Sequence, residues 1–287
     1  MRYDDDHESP DLIDRRGERP ALGSAGSGLF SLLPLLLRWR YGWVVIVAIL
    51  GYYGYTALTR RPAQNAADTT AGAGDGSVVH DAPAHFVAFV LDDVQGSWER
   101  EFAQRGKPYR HAKLVLFTGA TSTACGLGQS ATGPFYCPED ERVYIDLGFY
   151  QELEQRLGAR GQFAKAYVVA HEIGHHVQHL LGIDRRPDAH GEGAAGGSVR
   201  LELQADCYAG IWAHTTQQRQ LLEQGDIASA LGAAAAIGDD TLQREGRGVV
   251  RPDTFTHGTS AQRTRWFDTG YATGSLEACD TFGAKAL

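Results

Sequence analysis

The chain has 287 residues, enough for one sizeable domain or two small ones. Lysine and arginine total 27 against 35 aspartates and glutamates, which gives a formal net charge of −8. This balance excludes a nucleic-acid-binding protein that depends on a basic surface, so no nucleic-acid partner is expected. The 35 glycines, together with a hydrophobic fraction of only 43%, indicate a folded domain joined to flexible segments.

An apolar stretch occupies residues 41–58. It reads YGWVVIVAILGYYGYTAL, 18 residues without a charge. A helix of this length would be about 27 Å long, close to the ~30 Å hydrocarbon core of a bilayer. Trp43 at one end and Tyr52 and Tyr53 at the other suit the two membrane interfaces. A buried core helix is the alternative, but such helices seldom lack a polar face over this length. The sequence therefore predicts a transmembrane helix in contact with the lipid bilayer.

The flanking sequences predict the domain organisation and the orientation in the membrane. Residues 1–40 show little periodic apolar pattern and are predicted to be a disordered cytoplasmic tail. Arginines are more frequent in this tail than just after the apolar stretch, where Arg60 and Arg61 stand. The positive-inside rule therefore places the N-terminus in the cytoplasm. Residues 59–80 are predicted to be a flexible linker, and residues 81–287 a folded domain outside the cytoplasm.

The folded domain is predicted to begin with a helix. Apolar residues recur at every fourth position from Phe86 to Phe102, and Asp81 and Pro83 stand near the start. The other predicted elements are strands over 113–117 and 142–147 and helices over 148–157, 162–181, 199–216, 222–238 and 260–272. Two strands followed mostly by helices predict an α+β fold, mostly helical with a small sheet, behind the single N-terminal transmembrane helix.

A metal-binding pattern lies in the predicted helix 162–181, which reads QFAKAYVVAHEIGHHVQHLL. His171 and His175 are four residues apart, so both imidazoles project from one face of the helix and can bind one metal ion. Glu172, between them, is placed to act as the general base towards a water molecule activated by the metal. This H-E-x-x-H pattern predicts a catalytic Zn²⁺, one per chain.

A catalytic zinc needs a third protein ligand and an open fourth position. The next long helix contains E-x-x-A-D, in which Glu202 would be the third ligand. Asp206 would accept a hydrogen bond from the second ring nitrogen of a ligand histidine and so fix its orientation. A solvated acidic face is the alternative for this pair. His179 also shares the face of the first two histidines, but three histidines in successive turns spread over more than about 10 Å.

The two motifs together resemble the gluzincin type of zinc metallopeptidase. More closely, the whole chain resembles a family of bacterial neutral zinc metallopeptidases that includes the YpfJ-like proteins. The resemblance extends from IDRRG near the N-terminus to CDTF near the C-terminus. Its most specific stretches are GPFYCPED, VYIDLGFY, HEIGHHVQHLLGI, ELQADCYAGIWA and THGTSAQRTRWF. The resemblance implies a zincin-like metallopeptidase domain with a peptide or protein substrate, and no catalytic position departs from it.

The segment THGTSAQR resembles one in membrane-linked gluzincins, where a histidine and an arginine six residues later contact the substrate backbone. His257 and Arg263 have this spacing, and Thr259 and Gln262 are placed to start the last helix with a capping box. The resemblance implies that His257 is catalytic, as a donor near the developing oxyanion, and that Arg263 binds substrate. A structural histidine, with the arginine in a salt bridge, is the alternative.

These observations predict a membrane-anchored zinc metalloendopeptidase, single-pass in the bacterial inner (cytoplasmic) membrane. The strand from Val143 to Asp146 is the expected edge on which an extended peptide pairs, with Tyr144 as a substrate-binding residue. A zinc amidohydrolase acting on cell-wall peptide is one alternative. A zinc-bound, non-proteolytic binding module is another, although such a module has no need of the general base Glu172.

The four cysteines are predicted to form two disulfides, Cys125–Cys137 and Cys207–Cys279. The first pair would close a turn-rich loop, and the second would fasten the C-terminal tail to the helix that carries Glu202. Zinc ligation by these cysteines is disfavoured because neither close pair has C-x₂₋₄-C spacing. Four cysteines allow three pairings, and four buried free thiols are the remaining alternative.

Overall fold

The computed structural model describes residues 1–18, 81–156 and 158–287, which form one compact unit. Residues 19–40 of the predicted tail, the predicted span 41–58 and the predicted linker 59–80 lie outside these residues. Among the helices that are described, none is both long and apolar enough to cross a membrane.

The main sheet has four strands in the spatial order β1–β2–β6–β5. Strands β1, β2 and β6 are parallel, whereas β5 runs antiparallel to β6, and a separate hairpin is formed by β3 and β4. The strands are β1 Leu12–Asp14, β2 Lys113–Phe117, β3 Ala120–Thr123, β4 Gly126–Gln129, β5 Phe135–Cys137 and β6 Arg142–Asp146. The inner strands β2 and β6 are apolar at consecutive positions because both of their faces are buried.

The helices of the described ranges pack on the sheet and on one another to form the main hydrophobic core. They are α1 Ala82–Gln104, α2 Gly148–Gln155, α3 Gln162–Leu181, α4 Gly197–Gln218, α5 Asp226–Ala236, α6 Asp239–Arg247 and α7 Ser260–Thr273. Asp81 caps α1 by accepting a hydrogen bond from the backbone N–H of Ala84 at 3.0 Å. The predicted α+β fold with a small sheet is confirmed, and about half of the described residues are helical.

Several short elements were absent from the sequence prediction. The segment between the two predicted strands was expected to be a loop, yet it contains β3, β4 and β5, none longer than four residues. Helix α6 was also missed, since its residues are almost all polar and show no buried stripe. Such elements are stabilised by tertiary contacts and not by a local apolar period.

The first eighteen residues differ from the predicted disordered tail. Strand β1 pairs in parallel with β2, with Leu12 opposite Leu114, and Met1 is only 4% exposed. Asp11 is buried, where its carboxylate accepts hydrogen bonds from Lys113 at 2.6 Å and pairs with His111 at 2.7 Å. Composition alone suggested disorder because the charged residues of this segment find their partners about a hundred positions further along the chain.

The two predicted disulfides are confirmed. Cys125, after the first strand of the hairpin, is bonded to Cys137 at the end of β5. Cys207 on α4 is bonded to Cys279, so the C-terminal segment is fastened to the helix that carries Glu202. No free cysteine is found in the described ranges, which contain all four.

Candidate active site

Three side chains from two helices converge on one point. His171 and His175 on α3 and Glu202 on α4 each offer a ligand atom, and these atoms lie within 4.8 Å of one another. Nε2 of His171 and Nε2 of His175 lie 3.1 and 3.4 Å from the two carboxylate oxygens of Glu202. Two donors bound to one tetrahedral zinc ion lie about 3.4 Å apart, given metal–ligand bonds of about 2.1 Å. The donor set therefore fits a zinc ion with an open fourth position.

Both ligand imidazoles are held through their second ring nitrogen. Nδ1 of His171 lies 2.8 Å from Oδ1 of Asp206, and Nδ1 of His175 lies 2.9 Å from Oε1 of Gln178. With acceptors at both Nδ1 atoms, the Nε2 lone pairs face Glu202. The role predicted for Asp206 agrees with this geometry. Gln178 was missed, although its position three residues after His175 on the same helix is a signal that the sequence contains.

Arg263 lines the cavity beside the metal-ligand residues, and its guanidinium is bound by a buried carboxylate. Its role in substrate binding stays a prediction. Arg263 is 1% exposed, and its guanidinium donates to Asp206 at 2.8 Å from Nε and at 3.0 Å from Nη2. Tyr167 also donates a hydrogen bond to Asp206. Burial raises the pKa of Asp206, but the charges and hydrogen bonds of Arg263 and His171 together outweigh this and hold the pKa below its ordinary value. Arg263 therefore positions the anion that holds His171.

Gly174, inside the H-E-x-x-H motif, lies where α3 touches α4. A Cβ atom at this position would be 3.0 Å from the carbonyl oxygen of Ala205 and 3.1 Å from its Cα. The missing side chain lets the two helices approach closely. The close approach brings the histidines of α3 within reach of Glu202.

Glu172 lines a cavity of about 550 Å³ together with the three metal-ligand residues. Its side chain is buried, and burial raises the pKa of its carboxyl group. A carboxylate of raised pKa is a better proton acceptor, which suits a general base. The predicted position of Glu172 beside the metal ligands is the one observed.

His257 lines the same cavity and is held by Asp239 at the start of α6. Nδ1 of His257 lies 3.2 Å from Oδ1 of Asp239, and this hydrogen bond raises the pKa of the imidazole. The other carboxylate oxygen accepts hydrogen bonds from the backbone N–H groups of Thr256, His257 and Gly258 at 2.8, 2.6 and 3.0 Å. Asp239 was missed because its only sequence signal is an acidic residue in the first turn of a polar helix.

The strand that the sequence analysis expected to pair with substrate is not at an edge of the sheet. Strand β6 lies between β2 and β5, so it is not an edge, and Tyr144 is fully buried. The hydroxyl of Tyr144 donates to Asp140 at 2.7 Å and does not reach the cavity. The edge next to the site is β5, whose Phe135 and Tyr136 line the cavity. Alternation of side chains along a strand predicts its faces but not its neighbours in the sheet.

His179 lies outside the ligand cluster found in the described ranges. Its Nδ1 lies 2.6 Å from a carboxylate oxygen of Asp184, two residues beyond the Gly182 cap that follows α3. This contact agrees with the assignment of Glu202, and not His179, as the third ligand.

Two histidines and a glutamate as metal donors, beside a buried glutamate in a cavity, define the site of a zinc metallopeptidase. The comparisons with known proteins agree with this assignment of the site. Residues 1–282 match the family model described as "Putative neutral zinc metallopeptidase", and the chain belongs to this family. Membership confirms the resemblance noted in the sequence and implies a Zn²⁺ cofactor.

The chain is similar to "Uncharacterized protein YpfJ" of Escherichia coli K12, with 43% identity over 293 residues and 99% of each chain covered. It is also similar to Mb2605 of Mycobacterium bovis, with 48% identity over 190 residues, which cover 62% of this chain and 65% of the relative. Rv2575 of Mycobacterium tuberculosis matches with the same identity and coverage. No solved structure matches the chain significantly.

Proposed function

We propose that the protein is a zinc metalloendopeptidase of zincin-like fold that hydrolyses internal peptide bonds of peptide or protein substrates. The observation that carries the proposal is the convergence of His171, His175 and Glu202 with Glu172 in one cavity. When bound, Zn²⁺ supplies polarisation of the scissile carbonyl and lowers the pKa of water. Proton transfer and stabilisation of the developing negative charge are carried out by side chains of the protein.

Glu172 is the proton carrier in this proposal. Its buried carboxylate takes a proton from the attacking water and afterwards delivers it to the leaving amine. The raised pKa of Glu172 favours both steps, since a group that accepts the proton readily must also hold it until the amine departs.

His257 is proposed to donate a hydrogen bond to the oxygen on which negative charge develops. Its imidazole is half-exposed at the cavity and is oriented by Asp239, as such a donor requires. The structural role that the sequence left open for this histidine is less well supported, because the imidazole lines the same cavity as the metal ligands.

Strand β5 is proposed to bind the substrate backbone. It is the edge of the main sheet on the side of the cavity, and an extended peptide can add to such an edge by main-chain hydrogen bonds. Phe135 and Tyr136 would then lie beside the bound peptide. This replaces the pairing on Val143–Asp146 that the sequence suggested.

Residues 41–58 are proposed to anchor the enzyme to the bacterial cytoplasmic membrane, with the catalytic domain outside the cytoplasm. The uncharged 18-residue run supports the bilayer contact. The two disulfides support the compartment, since structural disulfides persist in oxidising environments.

A cell-wall amidohydrolase uses the same metal and general base, so the test must separate bond types as well as activity. The purified full chain is incubated with a library of linear peptides and, in parallel, with cross-linked peptidoglycan. We expect internal cleavage of linear peptides by the wild type and none by Glu172→Gln, with bound zinc unchanged.

Glu99→Gln is the matched control, because Glu99 is 66% exposed and should leave activity unchanged. Release of peptidoglycan fragments without peptide cleavage would favour the amidohydrolase. Full zinc occupancy without any hydrolysis would favour a binding module.

A further inference from the structure

The N-terminal segment is built into the same sheet as the metallopeptidase residues. Strand β1 adds to the edge of β2, and the backbone hydrogen bonds continue on both sides of the paired residues. The N–H of Leu114 donates to the carbonyl of Asp11, and the N–H of Arg15 donates to the carbonyl of Leu116, each at 2.8 Å. Ile13 of β1 packs against the apolar cluster that contains Val115, which is fully buried.

Side chains fasten the same segment to α1. The carboxylate of Asp92 on α1 accepts a hydrogen bond from Ser9 at 2.6 Å and pairs with His7 at 2.9 Å. The amide of Gln95, one turn further on, donates to the buried carboxylate of Asp11 at 3.2 Å. Removing residues 1–18 would take from the buried Nε2 of Gln95 the acceptor Asp11, and from the carboxylate of Asp92 both of these contacts.

The residues on either side of segment 19–80 are in direct contact. Nη1 of Arg16 donates to Oδ2 of Asp81 at 2.7 Å, although the two residues are 65 positions apart. Asp81 is at the same time the N-cap of α1, so the start of the domain's first long helix adjoins the end of the N-terminal segment. The chain therefore leaves the folded unit and returns to it at one place.

This arrangement constrains how the apolar run 41–58 can meet a membrane. A single crossing would separate residues 1–18 from residues 81–287 by the bilayer, and β1 could not then pair with β2. We propose that residues 1–18 and 81–287 lie on the same side of the membrane, so that the chain returns to the side that it left. The proposal rests on the membrane contact proposed for residues 41–58, not on peptidase activity, and it replaces the single-pass orientation.

The charges around the apolar run allow such a return. Two arginines precede the run, Arg38 and Arg40, and two follow it, Arg60 and Arg61. The immediate flanks are therefore alike, and the rule that charge asymmetry sets orientation gives little preference between them.

The test is the accessibility of single introduced thiols in intact cells. Asp5→Cys and Ala103→Cys place one exposed thiol in the N-terminal segment and one at the end of α1, and the native cysteines are all in disulfides. A membrane-impermeant maleimide is applied before and after permeabilisation. We expect both variants to be labelled, or both to be protected, to the same extent.

Labelling of one variant in intact cells and of the other only after permeabilisation would overturn the proposal. Recovery of the wild-type chain in the soluble fraction would overturn the membrane contact instead, and with it this inference. Peptide cleavage by the purified chain is measured separately, so a failure of the peptidase assignment is distinguishable from both.

A cross-link tests the contact itself. Arg16→Cys and Asp81→Cys are combined in one chain that carries a specific protease site inserted after Ala66, and the matched controls carry one substitution each. A reducible bis-maleimide is used, long enough to span the gap left by the arginine and aspartate side chains, because a direct disulfide needs closer backbones. After reaction in membranes and cleavage, we expect the double variant to remain one species until a reductant is added. The native disulfides both lie within residues 81–287 and cannot hold the two fragments together. Two fragments without reductant, at full peptidase activity, would overturn the proposal.

Discussion

Arg263 donates two hydrogen bonds to Asp206, and the same carboxylate accepts the hydrogen bond of the ligand histidine His171. The chain of contacts links the last long helix, α7, to the metal site through α4. An arginine in this position fixes both oxygens of the carboxylate, because its planar guanidinium donates from two nitrogens at once. Lysine would retain the charge but not this geometry.

The first prediction follows from that link. Arg263→Lys should weaken zinc binding by about 10- to 100-fold, the usual effect of disturbing a group that orients a ligand histidine. Competition with a chromogenic chelator measures the change. Arg265→Lys is the matched control, since Arg265 is exposed two residues further along the same helix. Equal zinc affinity in the two variants would contradict the positioning role.

The second prediction concerns the ligand set. His171→Ala, His175→Ala and Glu202→Ala should each lose stoichiometric zinc, because each removes one of the three converging donors. His179→Ala is the control, since that imidazole is paired with Asp184 outside the cluster. Metal content by atomic emission after desalting decides the matter. Retention of zinc by Glu202→Ala together with loss by His179→Ala would mean that the third ligand is wrongly assigned.

The third prediction concerns the contact between the two metal-binding helices. Gly174→Ala should destabilise the protein by about 1 kcal/mol, since overpacking of about 1–3 kcal/mol exceeds the helix-propensity gain of about 1 kcal/mol. Zinc affinity should fall as well, because backbone atoms of Ala205 obstruct the new methyl group.

Gly232→Ala is the matched control, as a Cβ at that helical position meets nothing within 4 Å. It should instead raise stability, and urea unfolding with and without zinc compares the two variants. Higher stability in both would show that α3 and α4 can separate without cost.

The site residues that could be predicted from the sequence are those placed by spacing along a single helix. Those placed by contacts with distant segments could not be predicted. His171, His175 and Glu202 lie on long helices with a strong apolar period, and their faces could be read from spacing alone. Tyr144 was misplaced because alternation along a strand does not reveal which strand is the edge. Asp239 was missed because its partners lie 17 to 19 residues away in the loop that carries His257.

The elements of the fold also differ in how well the sequence predicts them. The long helices were predicted to within a few residues, whereas β1 and β5, of three residues each, were not predicted. Strands so short are specified by what they pair with, and the pairing partner of β1 stands about a hundred positions away. Segments rich in charge therefore look disordered until their distant partners are known.

The fourth prediction concerns pH. The hydrogen bond to Asp239 raises the pKa of His257, so the protonated donor should persist above the ordinary value of about 6.5. Activity should fall as pH rises through the raised pKa. Asp239→Asn should move this alkaline limb of the kcat/KM profile to lower pH, and His257→Gln should remove it.

The contribution of the His257–Asp239 pair to the free energy of unfolding also depends on pH. The contribution of His257 is complete below its ordinary pKa and is lost as pH rises through the raised one, while that of Asp239 is lost as pH falls through its lowered pKa. Asp253→Asn is the control, because that side chain is 70% exposed. An alkaline limb that is the same in Asp239→Asn and in the control would exclude His257 as the titrating donor.

The last prediction separates the two disulfides by what each one supports. Cys125→Ser with Cys137→Ser opens a loop with a sequence separation of 12, and Cys207→Ser with Cys279→Ser opens one with a separation of 72. Loop-closure entropy gives costs of about 3 and about 4 kcal/mol respectively, so the second pair should lower the unfolding free energy more.

The two disulfides should also affect different properties of the active site. Cys137 is the last residue of β5, the edge strand whose Phe135 and Tyr136 line the cavity, so opening the first disulfide should raise KM for peptides with little change in zinc affinity. Opening the second should lower zinc affinity, because Cys207 adjoins Asp206 on α4. Urea unfolding, chelator competition and peptide kinetics on both double variants measure the three quantities. If KM rises only when the second disulfide is opened, β5 is not the strand that binds the substrate.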